Sequence, residues 1–137
     1  MSIKKSFEEV DSGLDKIASQ VVDAAFKVHT SLGPGLLENA YEACLAHEIR
    51  QKGLKVEQQV DLPLVYGDVR LNVGYRLDLL VEKRLIVEVK TVDSLLPIHK
   101  AQVLTYLKLS KLQLALLINF NSYVLKHGLK RVVLSNA

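Results

Sequence analysis

Three side chains in the middle of this 137-residue chain have the types and spacing for metal-ion chemistry: Asp78, Glu88 and Lys90. The segments that carry them, residues 69–81 and 85–92, read as β-strands joined by the tight connection Glu82-Lys83-Arg84. With that connection as the loop, Val81 faces Leu85, Leu80 faces Ile86, Leu79 faces Val87 and Asp78 faces Glu88. Residues directly opposite project from one face with Cβ atoms about 5 Å apart. Lys90, two positions beyond Glu88, shares that face. Two carboxylates and an ammonium are thus predicted to converge in an otherwise apolar hairpin. Adjacent carboxylates repel, and burying either charge alone is costly. A hard divalent cation, Mg²⁺ or Mn²⁺, resolves the conflict, because it prefers oxygen ligands and keeps several waters. Such an ion polarises a phosphoryl oxygen, and the lysine can orient or help deprotonate an attacking water. The same spacing also fits ordinary cross-strand ion pairs, Glu88 with Arg76 or Lys90 with Asp78. A one-residue slip in register would separate Asp78 from Glu88 but leave Glu88 and Lys90 on one face.

Other polar residues can join this group. Glu38 falls in the first turn of a helix, with Tyr41 at i+3. A carboxylate there either complements the helix dipole or reaches the ion and orders its water. On a later helix His99, Gln102 and Tyr106 share one stripe. The amide and the phenol could hold a phosphate or a base; an amphipathic boundary gives the same pattern. Cys44 sits at a helical core position without an evident base to activate it. His29, His47, His99 and His127 are too far apart to suggest a zinc site. No lysine follows Gly33 and Gly35 at the spacing of a phosphate-cradling loop.

These residues need elements to position them. Ser12 and Asp15 form a capping-box pattern, and Leu14, Ile17, Val21, Ala24, Ala25 and Val28 then recur at helical spacing. Gly33-Pro34-Gly35 ends that helix. A second helix is predicted over residues 36–52, where Gly53 stops it. Residues 55–66 read as a strand interrupted by Pro63 and therefore partly on an edge. With residues 69–81 and 85–92 it makes a three-stranded meander. Pro97 opens a helix to about residue 109. The unalternating apolar run 112–120 is the pattern of a strand buried on both faces. Strand, crossover helix and returning strand imply a parallel, right-handed pair. A short strand at 129–134 closes one edge. The expectation is an α/β fold in one domain over residues 1–137, with a mixed sheet flanked by helices and a core from about 14 to 134.

Composition agrees. Apolar residues make up 49% of the chain, enough for a packed core, and with no tryptophan that core must be mostly aliphatic. A single cysteine excludes an internal disulfide and fits a reducing compartment. The first nine residues lack an apolar signal-peptide core, and no uncharged apolar run reaches the ~18 residues of a membrane span. The expected location is cytoplasmic. A net charge of +3 permits a polyanionic partner without requiring one. The basic cluster Lys126, His127, Lys130 and Arg131 fits either phosphate contacts or a solvated edge.

In chain order, Gly35-Leu-Leu-Glu38-Asn-Ala-Tyr41 reads as GxxExxY, Asp78 with Glu88-Val-Lys90 as D…ExK, and Gln102-Val-Leu-Thr-Tyr106 as QxxxY. This ordered set resembles the GxxExxY protein family, placed in the PD-(D/E)xK nuclease superfamily near the exonuclease branch that carries QxxxY. The resemblance covers about residues 17–133. It implies a restriction-endonuclease-like core and a metal-dependent nuclease acting on nucleic acid, DNA before RNA. It also implies Asp78, Glu88 and the Val89 carbonyl as ligands of Mg²⁺ or Mn²⁺. Lys90 would serve the nucleophilic water, and Glu38 would be the acidic residue of the first core helix. Gln102 and Tyr106, with Tyr41, would meet the substrate. Leu77 stands where the superfamily motif has proline. The alternative is a non-catalytic nucleic-acid- or protein-binding regulatory module on the same fold. A lone core offers little surface for sequence-specific recognition, which leaves a homodimer or a larger partner protein as the way to gain it.

Overall fold

Asp11, not Ser12, starts the first helix. In the computed structural model, which describes residues 10–135, its carboxylate accepts a hydrogen bond from the Leu14 N–H at 2.8 Å. Asp caps as well as Ser does, and Asp11 is also paired with Arg84. The opening residues read as lacking a signal-peptide core lie outside the described residues. Helix α1 (Ser12–Leu32) buries the stripe Leu14, Ala18, Val21, Ala25 and Val28. Gly33, at φ 67°, closes it by donating its N–H to the His29 carbonyl. Helix α2 (Glu38–Gln51) starts two residues later than the sequence suggests, because Leu37 is extended at φ −69° and ψ 148°.

Strands β1 (Val56–Asp61), β4 (Arg76–Val81), β5 (Leu85–Lys90), β6 (Leu114–Asn119) and β7 (Leu129–Val133) form one sheet in the order β1-β4-β5-β6-β7. Among the described residues only β5 and β6 run parallel; the other neighbours in this sheet are antiparallel. Helix α3 (Pro97–Ser110) makes the crossover between them. All six residues of β6 are buried, as its lack of alternation predicted.

The meander differs from the sequence reading in one respect. Residues 69–81 are not one strand. The chain leaves the sheet at Leu62-Pro63, where proline has no N–H to give a ladder. Strands β2 (Leu64–Tyr66) and β3 (Val69–Leu71) pair only with each other, as a separate hairpin arm. Gly74, at φ 86°, turns the chain back, and the Leu62 N–H donates to the Tyr75 carbonyl at 2.8 Å where the sheet resumes. The antiparallel meander is therefore β1–β4–β5.

Helices cover both faces. Residues of α1 and α2 pack with Leu79, Val81, Val87, Val89, Leu116 and Ile118 on one side. Val103, Tyr106 and Leu107 of α3 pack with Ile86, Ala115 and Leu117 on the other. Each fully buried aliphatic side chain contributes about 1.5–3 kcal/mol. Both layers are needed, because a central strand such as β6 has apolar residues to bury on each face. Among the described residues no helix is long and apolar enough to cross a membrane.

Candidate metal and active site

The predicted register of the β4–β5 hairpin is observed at Val81–Leu85, Leu80–Ile86 and Leu79–Val87. There the ladder stops. Beyond Leu79, side chains take over from the backbone. The Asp78 N–H donates to Glu88 Oε2 at 2.9 Å, and the Val89 N–H donates to Asp78 Oδ2 at 2.8 Å. Each strand's carboxylate thus satisfies an amide of the other strand, and the two strands part between them. A strand residue's N–H and C=O point to the same side. The Val89 carbonyl therefore faces β4, where no backbone partner meets it in the ladder.

The neighbouring ladder is interrupted at the same level. β1 pairs with β4 at Gln58–Leu79 and Val60–Leu77 but not at Gln59–Asp78. Gln59 adopts φ 52°, the left-handed region that a non-glycine residue rarely enters. Its amide donates to Glu42 Oε1 at 2.8 Å and to Asp78 Oδ1 at 3.4 Å. Gln58 donates to the other Glu42 oxygen at 3.2 Å. Glu42 lies one turn beyond Glu38 on α2 and is buried.

Among the described residues, the ion pairs that the spacing also allowed are absent. Arg76 pairs with Asp61 instead. Lys90 makes no direct ion pair among the described residues, although its charge is felt by Asp78, Glu88 and Glu38. Burial raises all three acids. Glu88, only 4% exposed, is pushed from its ordinary 4.5 up to about 8, first by desolvation and then by the Asp78 charge. Asp78 is raised by desolvation, against the Val89 and Gln59 hydrogen bonds and Lys90. Glu38 is raised by desolvation, then by Asp78 and Glu42. Tyr106 is raised by desolvation and by the charges of Glu88 and Asp78. Groups from α2, β4, β5 and α3 thus share one electrostatic environment.

Tyr41 is placed elsewhere. It is fully buried and stacked on Phe120 with ring centroids 4.7 Å apart. Its hydroxyl donates to the Gly33 carbonyl and accepts from the Leu36 N–H at 3.1 Å. The expectation that it contacts substrate is corrected: its ring is core, and its hydroxyl shapes the loop that delivers Glu38. Gln102 is exposed and Tyr106 buried; both line a cavity of about 500 Å³ together with Lys90, Tyr75, Ile98 and His99. A larger cavity of about 660 Å³, lined by Leu14, Arg84, Lys108 and Leu134, lies at the other end of the strands and contains no acidic residue.

Three contributors escaped the sequence reading. Glu42 carries a signal, a second acid one turn after Glu38 on an otherwise apolar face. Gln59 carries none, because a backbone conformation is not written in a glutamine. Asn119, 1% exposed, bonds both the N–H and the carbonyl of Val92 at 3.0 and 2.8 Å, fixing the chain that leaves β5.

Among the described residues no three His, Cys, Asp or Glu side chains form a ready metal cage. The donors present are two desolvated carboxylates and one ladder-free carbonyl. Such a sparse, all-oxygen set suits a hard cation that keeps most of its own waters, and it does not suit zinc. A family model described as PD-(D/E)XK nuclease superfamily matches residues 15–132. No curated protein and no solved structure matches the chain.

Proposed function

Starting from the chain's membership of the PD-(D/E)XK nuclease superfamily, we propose that it is a metal-dependent phosphodiesterase acting on nucleic acid, DNA before RNA, of the GxxExxY kind. The observation that carries this reading is the open end of β4–β5, where two desolvated carboxylates meet beside a lysine that makes no direct ion pair among the described residues. Asp78, Glu88 and the Val89 carbonyl would hold Mg²⁺ or Mn²⁺. When bound, such an ion offsets charge on the phosphoryl oxygens as the bond to the leaving group breaks.

The chain's own residues do the rest. Lys90 donates to the attacking water and holds it in line with the scissile bond. The water oxygen gives up a proton to solvent as it forms a bond to phosphorus, the phosphorus–oxygen bond to the leaving sugar breaks, and that sugar oxygen takes up a proton from solvent. Glu38 orders water from the α2 side. Glu42 and Gln59 hold Asp78 from behind, as outer partners of metal ligands do. Gln102 and Tyr106 face the substrate from α3.

The test is cleavage of linear, nicked and branched DNA with and without Mg²⁺ or Mn²⁺. Activity should require the metal and fall at least about 100-fold in Lys90→Ala. Equal turnover by that variant would remove the mechanism. Binding of nucleic acid without cleavage in either metal would favour a non-catalytic module.

A further inference from the structure

The cavity beside Lys90 has a mixed lining that catalysis alone does not explain. Tyr75, Ile98 and Tyr106 give it apolar surface, while His99, Gln102 and Lys90 give it polar groups. Its volume, about 500 Å³, falls within the ~300–1,000 Å³ of small-ligand sites. Tyr75 leans on Tyr106 with ring centroids 5.9 Å apart and remains 39% exposed. Its backbone carbonyl accepts from the Leu62 N–H at the foot of the hairpin arm, which anchors the residue at the edge of the cavity, next to the start of β4.

The polar groups are mostly donors. The Leu96 N–H donates to His99 Nδ1 at 2.9 Å. A backbone N–H can only donate, so Nδ1 is the acceptor and the neutral ring carries its hydrogen on Nε2. Neither Nε2 nor the Gln102 amide has a partner among the described residues. A phosphate would use the donors and waste the aromatic surface. A nucleobase uses both, stacking a face on tyrosine and offering its edge to an amide and an imidazole.

We infer that this cavity binds an unpaired nucleotide of the substrate, with its phosphate toward Lys90 and its base against Tyr75. Bases stacked inside a duplex cannot enter, because their faces and pairing edges are occupied. The substrate is therefore single-stranded at the site: a free strand, a frayed end or a flap. The inference rests on the proposed nuclease reading and names its substrate class.

The test is fluorescence anisotropy of the intact chain with EDTA present, so that no metal-dependent cleavage consumes the probe. The probes are labelled oligo-dT, oligo-U and a blunt DNA duplex. A single strand should bind about tenfold tighter than the duplex. Tyr75→Ala should lose about tenfold on the single strand, the worth of one stacked base. Tyr75→Phe should bind like wild type, and Gln102→Ala should weaken single-strand binding several-fold. A preference confined to oligo-dT or oligo-U supports the slot and shows which of the two strands it takes. Duplex binding as tight as single-strand binding, or unchanged binding in Tyr75→Ala, overturns it. Cleavage is measured separately in Mg²⁺ and Mn²⁺. Tyr75-dependent binding without cleavage keeps the slot and removes the nuclease reading. Lys90-dependent cleavage without Tyr75-dependent binding does the reverse, and the absence of both removes both.

Discussion

The two ends of the β4–β5 pair are built on opposite principles. At the hairpin end, Val81, Leu85, Leu79 and Val87 are fully buried, and backbone pairs with backbone. At the other end the ladder gives out, and Asp78 and Glu88 bond each other's strand through their side chains. The first arrangement stabilises the fold. The second places charge where water is scarce, which raises both acids. Functional sites are where such unfavourable placements persist, held by a scaffold that over-determines them. Even the pH sense differs. Asp11, near the hairpin end, is lowered chiefly by its bond to Arg84, while Glu88 is raised by burial.

The sharpest test of this contrast uses two adjacent residues of one strand. Leu79→Ala should cost about 2–5 kcal/mol in chemical denaturation, by lost burial plus a cavity. Asp78→Asn keeps an oxygen for the Val89 N–H, so stability should move by less than about 1 kcal/mol. Its cleavage, however, should fall at least about 100-fold. If Asp78→Asn is instead as destabilised as Leu79→Ala, the open end is merely part of the framework.

A second test reads the pH sense. Glu88 titrates near 8 in the folded chain and near 4.5 otherwise. Between those values the folded state holds more protons than the unfolded state. Its contribution is therefore fully present below about 4.5 and is lost as pH rises through about 8. The metal-free protein should weaken by a few kcal/mol across that window. Glu88→Gln keeps the acceptor for the Asp78 N–H and should flatten the curve, and Mg²⁺ or Mn²⁺ should restore wild-type stability at the alkaline end. Melting temperatures across the window, with and without metal, give the answer. A wild-type profile that is flat or rises with pH would show that Glu88 is not held at this desolvated site.

These contrasts also mark what was legible in the sequence. The helices over Ser12–Leu32 and Pro97–Ser110, the buried strand Leu114–Asn119 and its parallel partner follow from periodicity and from one proline. The hairpin register follows from counting across the loop as far as Leu79–Val87. The next pair was predicted to face as ordinary ladder partners, and a periodic argument cannot see a ladder that stops. For the same reason residues 69–81 read as one strand, although Gly74 turns the chain and β2–β3 leaves the sheet. Tyr41 looked like a site residue because it stands three positions from Glu38, and spacing does not reveal that its hydroxyl is already engaged on both sides.

Gln59 provides the finest comparison, because its backbone and its side chain can be separated. Its left-handed φ of 52° costs a non-glycine residue about 1–2 kcal/mol, a cost that glycine escapes. Its amide contributes the bonds to Glu42 and Asp78. Gln59→Ala removes the amide and keeps the strain; Gln59→Gly removes both. Gln59→Ala should therefore be about 1 kcal/mol less stable than Gln59→Gly in denaturant titrations. Both should bind Mn²⁺ about tenfold more weakly than wild type in calorimetric titration, because both leave Asp78 without its support from β1. Equal stability of the two variants would mean that the interrupted ladder opposite Asp78 stores no strain. Undiminished Mn²⁺ binding in both would mean that Glu42 and Gln59 belong with the framework at the hairpin end rather than with the site.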